Sequence, residues 1–246
     1  MKRIFITFFV LISFALTAQE SAKLEYNLNK GDVYKIEMVL DQDMAPIMQM
    51  NIGMTMMMNI TGLEGNNIKS TYQMKRILMK MSSQDEVVEF DSDKKNEDLS
   101  EEEKKMKAEI TPALEMILYQ TIDKSGKIVN QKMVPELKEA NSMLNQNQFT
   151  NMEYPKTIVK VGSTWDFGQN LNGMNMKMTY TVTKITNDII FTDIIGSMAG
   201  MADAKVGGKL EIDRESGMIS IMNLDIGMVT GGINMNMNVK FKTSKI

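Results

Sequence analysis

Methionine recurs at every second residue along several stretches of this chain, and that spacing decides what those stretches become. From Met48 the even positions read Met48, Met50, Ile52, Met54, Met56, Met58 and Ile60. The odd positions read Gln49, Asn51, Gly53, Thr55, Met57, Asn59 and Thr61, and only Met57 breaks the sorting. Successive side chains of a β-strand point to opposite faces, so this period gives one apolar face and one solvated face. The same pattern holds for Met174, Met176, Met178, Tyr180 and Val182, and for Ile233, Met235, Met237, Val239 and Phe241. A looser version covers Met222, Leu224, Ile226 and Met228. One-sided strands belong to antiparallel sheets, because parallel strands are apolar on both faces.

The run from residue 48 to 60 spans on the order of 40 Å when extended, a length at which strands curve. The apolar phase then moves from even positions (Tyr72, Met74) to odd ones (Ile77, Met79, Met81). That shift predicts a β-bulge near Arg76. Ser100 and Glu103 form a capping box, and Glu101–Lys105 and Glu103–Lys107 are supporting i,i+4 pairs. Thr111-Pro112 is expected to stop this helix and to cap a short second one carrying Leu114. A third is expected from Pro135, with Leu137, Ala140, Met143 and Leu144 at helical spacing. The expected fold is mainly β: an antiparallel, long-stranded half-barrel or open sandwich with two or three short helices in the middle.

Landmarks recur in the same order in two halves. Lys30-Gly31-Asp32-Val33-Tyr34 matches Val161-Gly162-Ser163-Thr164-Trp165, and Ile122 to Ile128 matches Ile212 to Ile219. The second pair shares hairpin-turn chemistry, a polar stretch followed by Ser-Gly and re-entry into a strand. The organisation read from this is a signal peptide (1–18), a first β-rich half with the helical insert (19–150) and a second β-rich half (151–246), the two halves sharing one globular domain. At these residues the chain resembles a family of uncharacterised secreted proteins from Bacteroidota, a domain of unknown function. The resemblance rests on Ala18-Gln19, Lys30-Gly31-Asp32, Phe90-Asp91-Ser92, the Ile122–Ile128 turn, and Tyr154-Pro155 leading to Val159 through Trp165. It implies an envelope or secreted β-protein and brings no activity with it; the methionine enrichment departs from the family.

Lys2 and Arg3 precede an apolar run from Ile4 to Leu16, and Leu16-Thr17-Ala18 supplies a cleavage site before Gln19. This reads as a secretory signal, too short for a comfortable membrane span, so the expected location is periplasmic or secreted. Without Lys2 and Arg3, 26 basic residues face 31 acidic ones. That sign opposes binding to phosphate backbones, and nucleic acid is excluded as a partner. The chain has no Cys and no His. Disulfides, thiol nucleophiles, His-based triads and Cys- or His-ligated metals are therefore excluded. Ser92-Asp93-Lys94-Lys95 matches Ser-x-x-Lys, and Asp91-Ser92-Asp93 opens like a calcium loop, but the first is uninformative alone and the second fails at Lys95 and Asn96. No enzyme activity and no cofactor is expected.

The 27 methionines then carry the functional question. Unbranched Met adapts to varied shapes where Leu, Ile and Val would specify one packing. One reading is an apolar-ligand protein, for a lipid or acyl chain, with Met54, Met56, Met58, Met174, Met176, Met178, Met235 and Met237 as the wall and residues 100–146 as a flap. The rival is a structural or interaction protein of the envelope whose Met face is a closed core, its partner an envelope protein. A third is Cu(I) held by thioethers, which needs Met pairs to meet across strands. A carrier predicts a cavity of roughly 300–1,000 Å³ behind the strands.

Overall fold

The computed structural model describes residues 20–44, 46–83, 86–135, 152–171, 174–199, 204–230 and 232–246. The expected signal segment and residues 136–144 of the expected third helix lie outside the described residues. Fourteen strands are described: β1 (Ser21–Ala22), β2 (Val33–Met44), β3 (Met48–Glu64), β4 (Asn67–Ser83), β5 (Val87–Asp91), β6 (Ile117–Asp123), β7 (Ile128–Val134), β8 (Val159–Lys160), β9 (Thr164–Leu171), β10 (Met174–Ile185), β11 (Ile189–Ala199), β12 (Ala204–Asp213), β13 (Ile219–Thr230) and β14 (Ile233–Lys245). Twelve of them make one antiparallel sheet that does not close, in the order β7-β6-β4-β3-β2-β14-β13-β12-β11-β10-β9, with β5 also paired to β4. The mainly β, open antiparallel architecture read from the alternation is the one found.

Strand β4 serves two partners along one edge: its first part (Asn67–Gln73) pairs β6 and its last part (Leu78–Ser82) pairs β5. The bulge expected near Arg76 is present. Thr55 opposes Arg76 and Met56 opposes Met74, leaving Lys75 unmatched and moving the inward phase from even to odd. Inward glycines bend the second half of the sheet. A Cβ at Gly208 would stand 2.2 Å from the Asn223 carbonyl oxygen, and one at Gly196 would stand 2.4 Å from that of Lys177. Only hydrogen lets the neighbouring backbones approach this closely.

One helix, α1 (Glu101–Glu115), follows a 3-10 turn at Asn96–Asp98. Its capping box forms as expected: Ser100 Oγ accepts from Glu103 N at 3.2 Å, and Glu103 Oε2 accepts from Ser100 N at 2.8 Å. The expected stop at Thr111-Pro112 is corrected, because α1 runs through Pro112. Proline removes one intrahelical donor, and here only three further residues remain before the helix ends. α1 lies against β4, where Gln73 Nε2 donates to Leu114 O at 3.4 Å.

Burial along the strands follows the two-residue period. Tyr34, Ile36, Met56, Met58, Ile60, Leu210, Ile212 and Phe241 are buried on one face, with Lys, Asp, Asn and Thr on the other. Residues 20–29 and 152–160 close one end of this apolar face. β1 pairs β8, Tyr26 N donates to Lys124 O at 2.8 Å, Asn27 N to Ser216 O at 2.8 Å, and Tyr154 N to Ser125 O at 2.7 Å. These segments carry Tyr26 and Tyr154 inward, with ring centroids 5.1 Å apart. The end they close holds the turns after β6 and β12. The opposite end holds the hairpins joining β2 to β3 and β13 to β14 and is called the rim below.

Candidate functional site

The methionines named from spacing separate into two environments. Met56, Met58, Met176 and Met178 are fully buried in the main core and line no open wall. The space among Tyr26, Ile36, Met58, Tyr72, Ile122 and Phe241 is about 10 Å³, room for one water at most. Tyr26 accounts for this correction, since a ring delivered by the segment before β2 occupies the volume that a ligand would take. Met178 is sealed too, with its sulfur accepting from the Tyr180 hydroxyl at 3.8 Å. Trp165 and Tyr180 stack beside it at 5.2 Å and 13°. Met174 opens β10, opposite Leu171.

Met54, Met235 and Met237 sit closer to the rim and are half-buried. Around them lie inward positions that spacing left out of the site: Met38, Leu40, Met44, Met48, Met50, Met79 and Met81, all half-buried. The register places Met38 opposite Met54, Met44 opposite Met48, Met50 opposite Met81 and Met228 opposite Met235. The result is a mainly apolar band across β13, β14, β2, β3 and β4, dominated by methionine, interrupted by Gln42 on β2 and partly open to solvent. Burial depth, and no sequence period, separates Met54 from Met56.

A cleft of about 550 Å³ opens at the same strands, lined by Asp41, Asp43, Gln49, Asn51, Asp225 and Asn236 of the polar face together with Met50 and Met237 of the methionine band. Its groups are tied to one another: Asn51 donates to Asp41, Asn238 Nδ2 donates to Asp225 at 2.7 Å, and Lys240 stands 3.5 Å from Asp41. Among the described residues, no group of three or more His, Cys, Asp or Glu is placed to hold a metal ion. No helix among them is long and apolar enough to cross a membrane.

A second polar cluster fastens α1 to the sheet. Arg76 grips Asp91 through two bonds, Nε–Oδ1 at 3.0 Å and Nη2–Oδ2 at 2.6 Å, at the bulge itself. Lys94 donates to Glu103 at 2.9 Å, and Lys107 to the Lys94 carbonyl at 2.5 Å. The Lys94 ammonium, with the Ser100 N–H, draws the Glu103 carboxyl down to about 2. These bonds tie α1 and the turn before it to the bulged strand β4.

No family model matches the sequence, and no curated protein matches it significantly. A solved structure concerned with lipid–protein interactions in lipovitellin is similar, with a TM-score of 0.59 and 11% identity over 89% of this chain. The chain spans about a quarter (25%) of that structure's length. At that identity the likeness is one of fold alone.

Proposed function

We propose that this protein is a non-catalytic binding protein acting in the periplasm or beyond, and that it takes the apolar part of a lipid or acyl chain on the open band of its methionine face. The observation that carries the reading is the half-buried band of Met38, Met50, Met54, Met79, Met235 and Met237. A contiguous open apolar surface marks a binding face, and flexible thioether side chains suit ligands of varied shape. The fold likeness to lipovitellin, whose structure is described in terms of lipid–protein interactions, supports the same class of ligand. The signal-like start and the resemblance to secreted Bacteroidota proteins support the location. The paired corner and turn geometries support two related halves.

The packed volume around Met58 favours, for the closed end, the rival reading of a structural or interaction protein of the envelope with a closed methionine-rich core. One experiment separates the two. Protein purified from cells is weighed by native mass spectrometry and then titrated with a fluorescent fatty acid. A lipid at fixed stoichiometry, with probe uptake lost in the double variant Met50→Asp/Met54→Asp, supports the lipid reading. A clean apo mass and no probe uptake overturns it in favour of that rival.

A further inference from the structure

We infer that the rim of the methionine face is a site for a soft monovalent metal ion, Cu(I), built from thioethers paired across strands. Same-strand neighbours in a Met-x-Met run stand about 7 Å apart and share an ion poorly, whereas directly opposed residues bring their Cβ atoms to about 4.5–5.5 Å. The register supplies opposed pairs at the rim. Met44 faces Met48 on one inward rung, and Met50 faces Met81 on the next, with Met48 and Met50 consecutive on the same face of β3. Four sulfurs are thereby gathered around one patch of sheet. A fifth joins from β14: the Met235 sulfur accepts from Gln42 Nε2 at 3.5 Å, and Gln42 lies beside Met50 in the register.

The chemistry of the donor set selects the ion. Thioethers are neutral, soft ligands that suit Cu(I), while Zn(II), Cu(II) and Ca(II) want imidazole, thiolate or carboxylate. This chain has no His and no Cys, and the carboxylates of Asp41 and Asp43 alternate to the opposite face of β2. Met44, Met48, Met50, Met81 and Met235 are all half-buried, so an ion reaches them from solvent and leaves most of its water behind. The closed end lacks these conditions, since Met58 there is opposed by Tyr34 and sealed from solvent.

The test uses the full chain, folded by circular dichroism, with Cu(I) under ascorbate, bathocuproine as competitor, and Ag(I) in native mass spectrometry. One Cu(I) or Ag(I) per chain is expected, with Zn(II) not retained and an X-ray absorption shell of sulfur alone. Met44→Leu/Met50→Leu should weaken retention at least about tenfold, and Met56→Leu/Met58→Leu in the core should leave it unchanged. No retention by the unaltered protein, or equal loss in the rim and core variants, overturns the site. Leucine preserves the apolar surface, so fatty-acid uptake measured on the rim variant reports separately on the lipid reading.

Discussion

Gly31 and Gly162 turn the chain in the same way at two corners of one sheet. Gly31 N donates to Ile60 O at 2.8 Å while Ile60 N donates to Asp32 O at 2.9 Å; Gly162 N donates to Val182 O at 2.8 Å while Val182 N donates to Ser163 O at 2.9 Å. Their φ angles, +94° and +86°, lie in the left-handed region that favours glycine. Each corner leads an aromatic, Tyr34 or Trp165, into the core. The likeness continues at the turns after β6 and β12, where Ser125 and Ser216 hydroxyls donate to Asp123 and Asp213. It continues also at Thr61 and Thr183, each skipped by the ladder and each donating to a neighbouring-strand carbonyl.

Alanine at these glycines separates backbone strain from crowding. Gly31 and Gly126 share a left-handed φ, +94° and +92°, but a Cβ at Gly31 meets open space. A Cβ at Gly126 would stand 2.2 Å from the Met152 carbonyl oxygen and 2.7 Å from the Tyr26 ring. Gly31→Ala should cost about 1–2 kcal/mol, and Gly126→Ala clearly more, in urea unfolding. Equal losses would mean that the segment carrying Met152 yields without resistance.

The division of the methionine face predicts unequal truncations. Met58 is 1% exposed, and Met58→Ala should cost about 2–5 kcal/mol. Met50, half-buried at the rim, should lose well under half of that as Met50→Ala. Matching losses in denaturant midpoints would show that the band near the rim is closed in solution.

Acid should detach α1 before it unfolds the sheet. Glu103 is held at about 2 against an ordinary 4.5, by Lys94 first and the Ser100 N–H next. Asp91 is held low by the hydrogen bonds from Arg76. A carboxylate held below its ordinary value contributes stability that is present above that value and lost as pH falls through the folded one. Amide hydrogen exchange in residues 101–115 should therefore accelerate, relative to β10 and β12, between pH 4.5 and about 2. A constant ratio over that window would remove the Lys94–Glu103 contact from the account.

Alkali should act through the tyrosines. Burial pushes Tyr26 up to about 12 and raises Tyr34, Tyr72, Tyr154 and Tyr180 as well. For such groups the stability is intact below the ordinary value of 10 and is lost as pH rises through the folded one. Tyrosinate absorbance from these five should appear together with loss of β-sheet circular dichroism. Smooth ionisation near pH 10, with the sheet intact, would mean that solvent already reaches Tyr26.

The sequence made some of this legible and left other parts dark, for identifiable reasons. Residues 48–60 read as a strand because methionine and polar residues sort by parity, and the Arg76 bulge was visible as a change of parity. Strands β11 and β12 were harder to see, because inward Thr192, Gly196 and Gly208 interrupt the apolar row where neighbouring backbones press in. The boundary between closed and open face was invisible. Met54 and Met56 differ by one step of the same period, yet the first is half-buried and the second buried, and the segment that brings Tyr26 against Met58 lies far from either in the chain. Pro112 reads as a stop from sequence, yet α1 carries it because only three residues of helix follow it.

Strand β14 lies between β2 and β13, so within the large sheet the two meanders are joined through the strand that comes latest of the fourteen in the chain. Until residues 233–245 are synthesised, β2 presents an unpaired row of amides and carbonyls beside bare thioethers, an invitation to self-association. Completion of the sheet is thus deferred to β14, which comes after the other thirteen described strands in chain order.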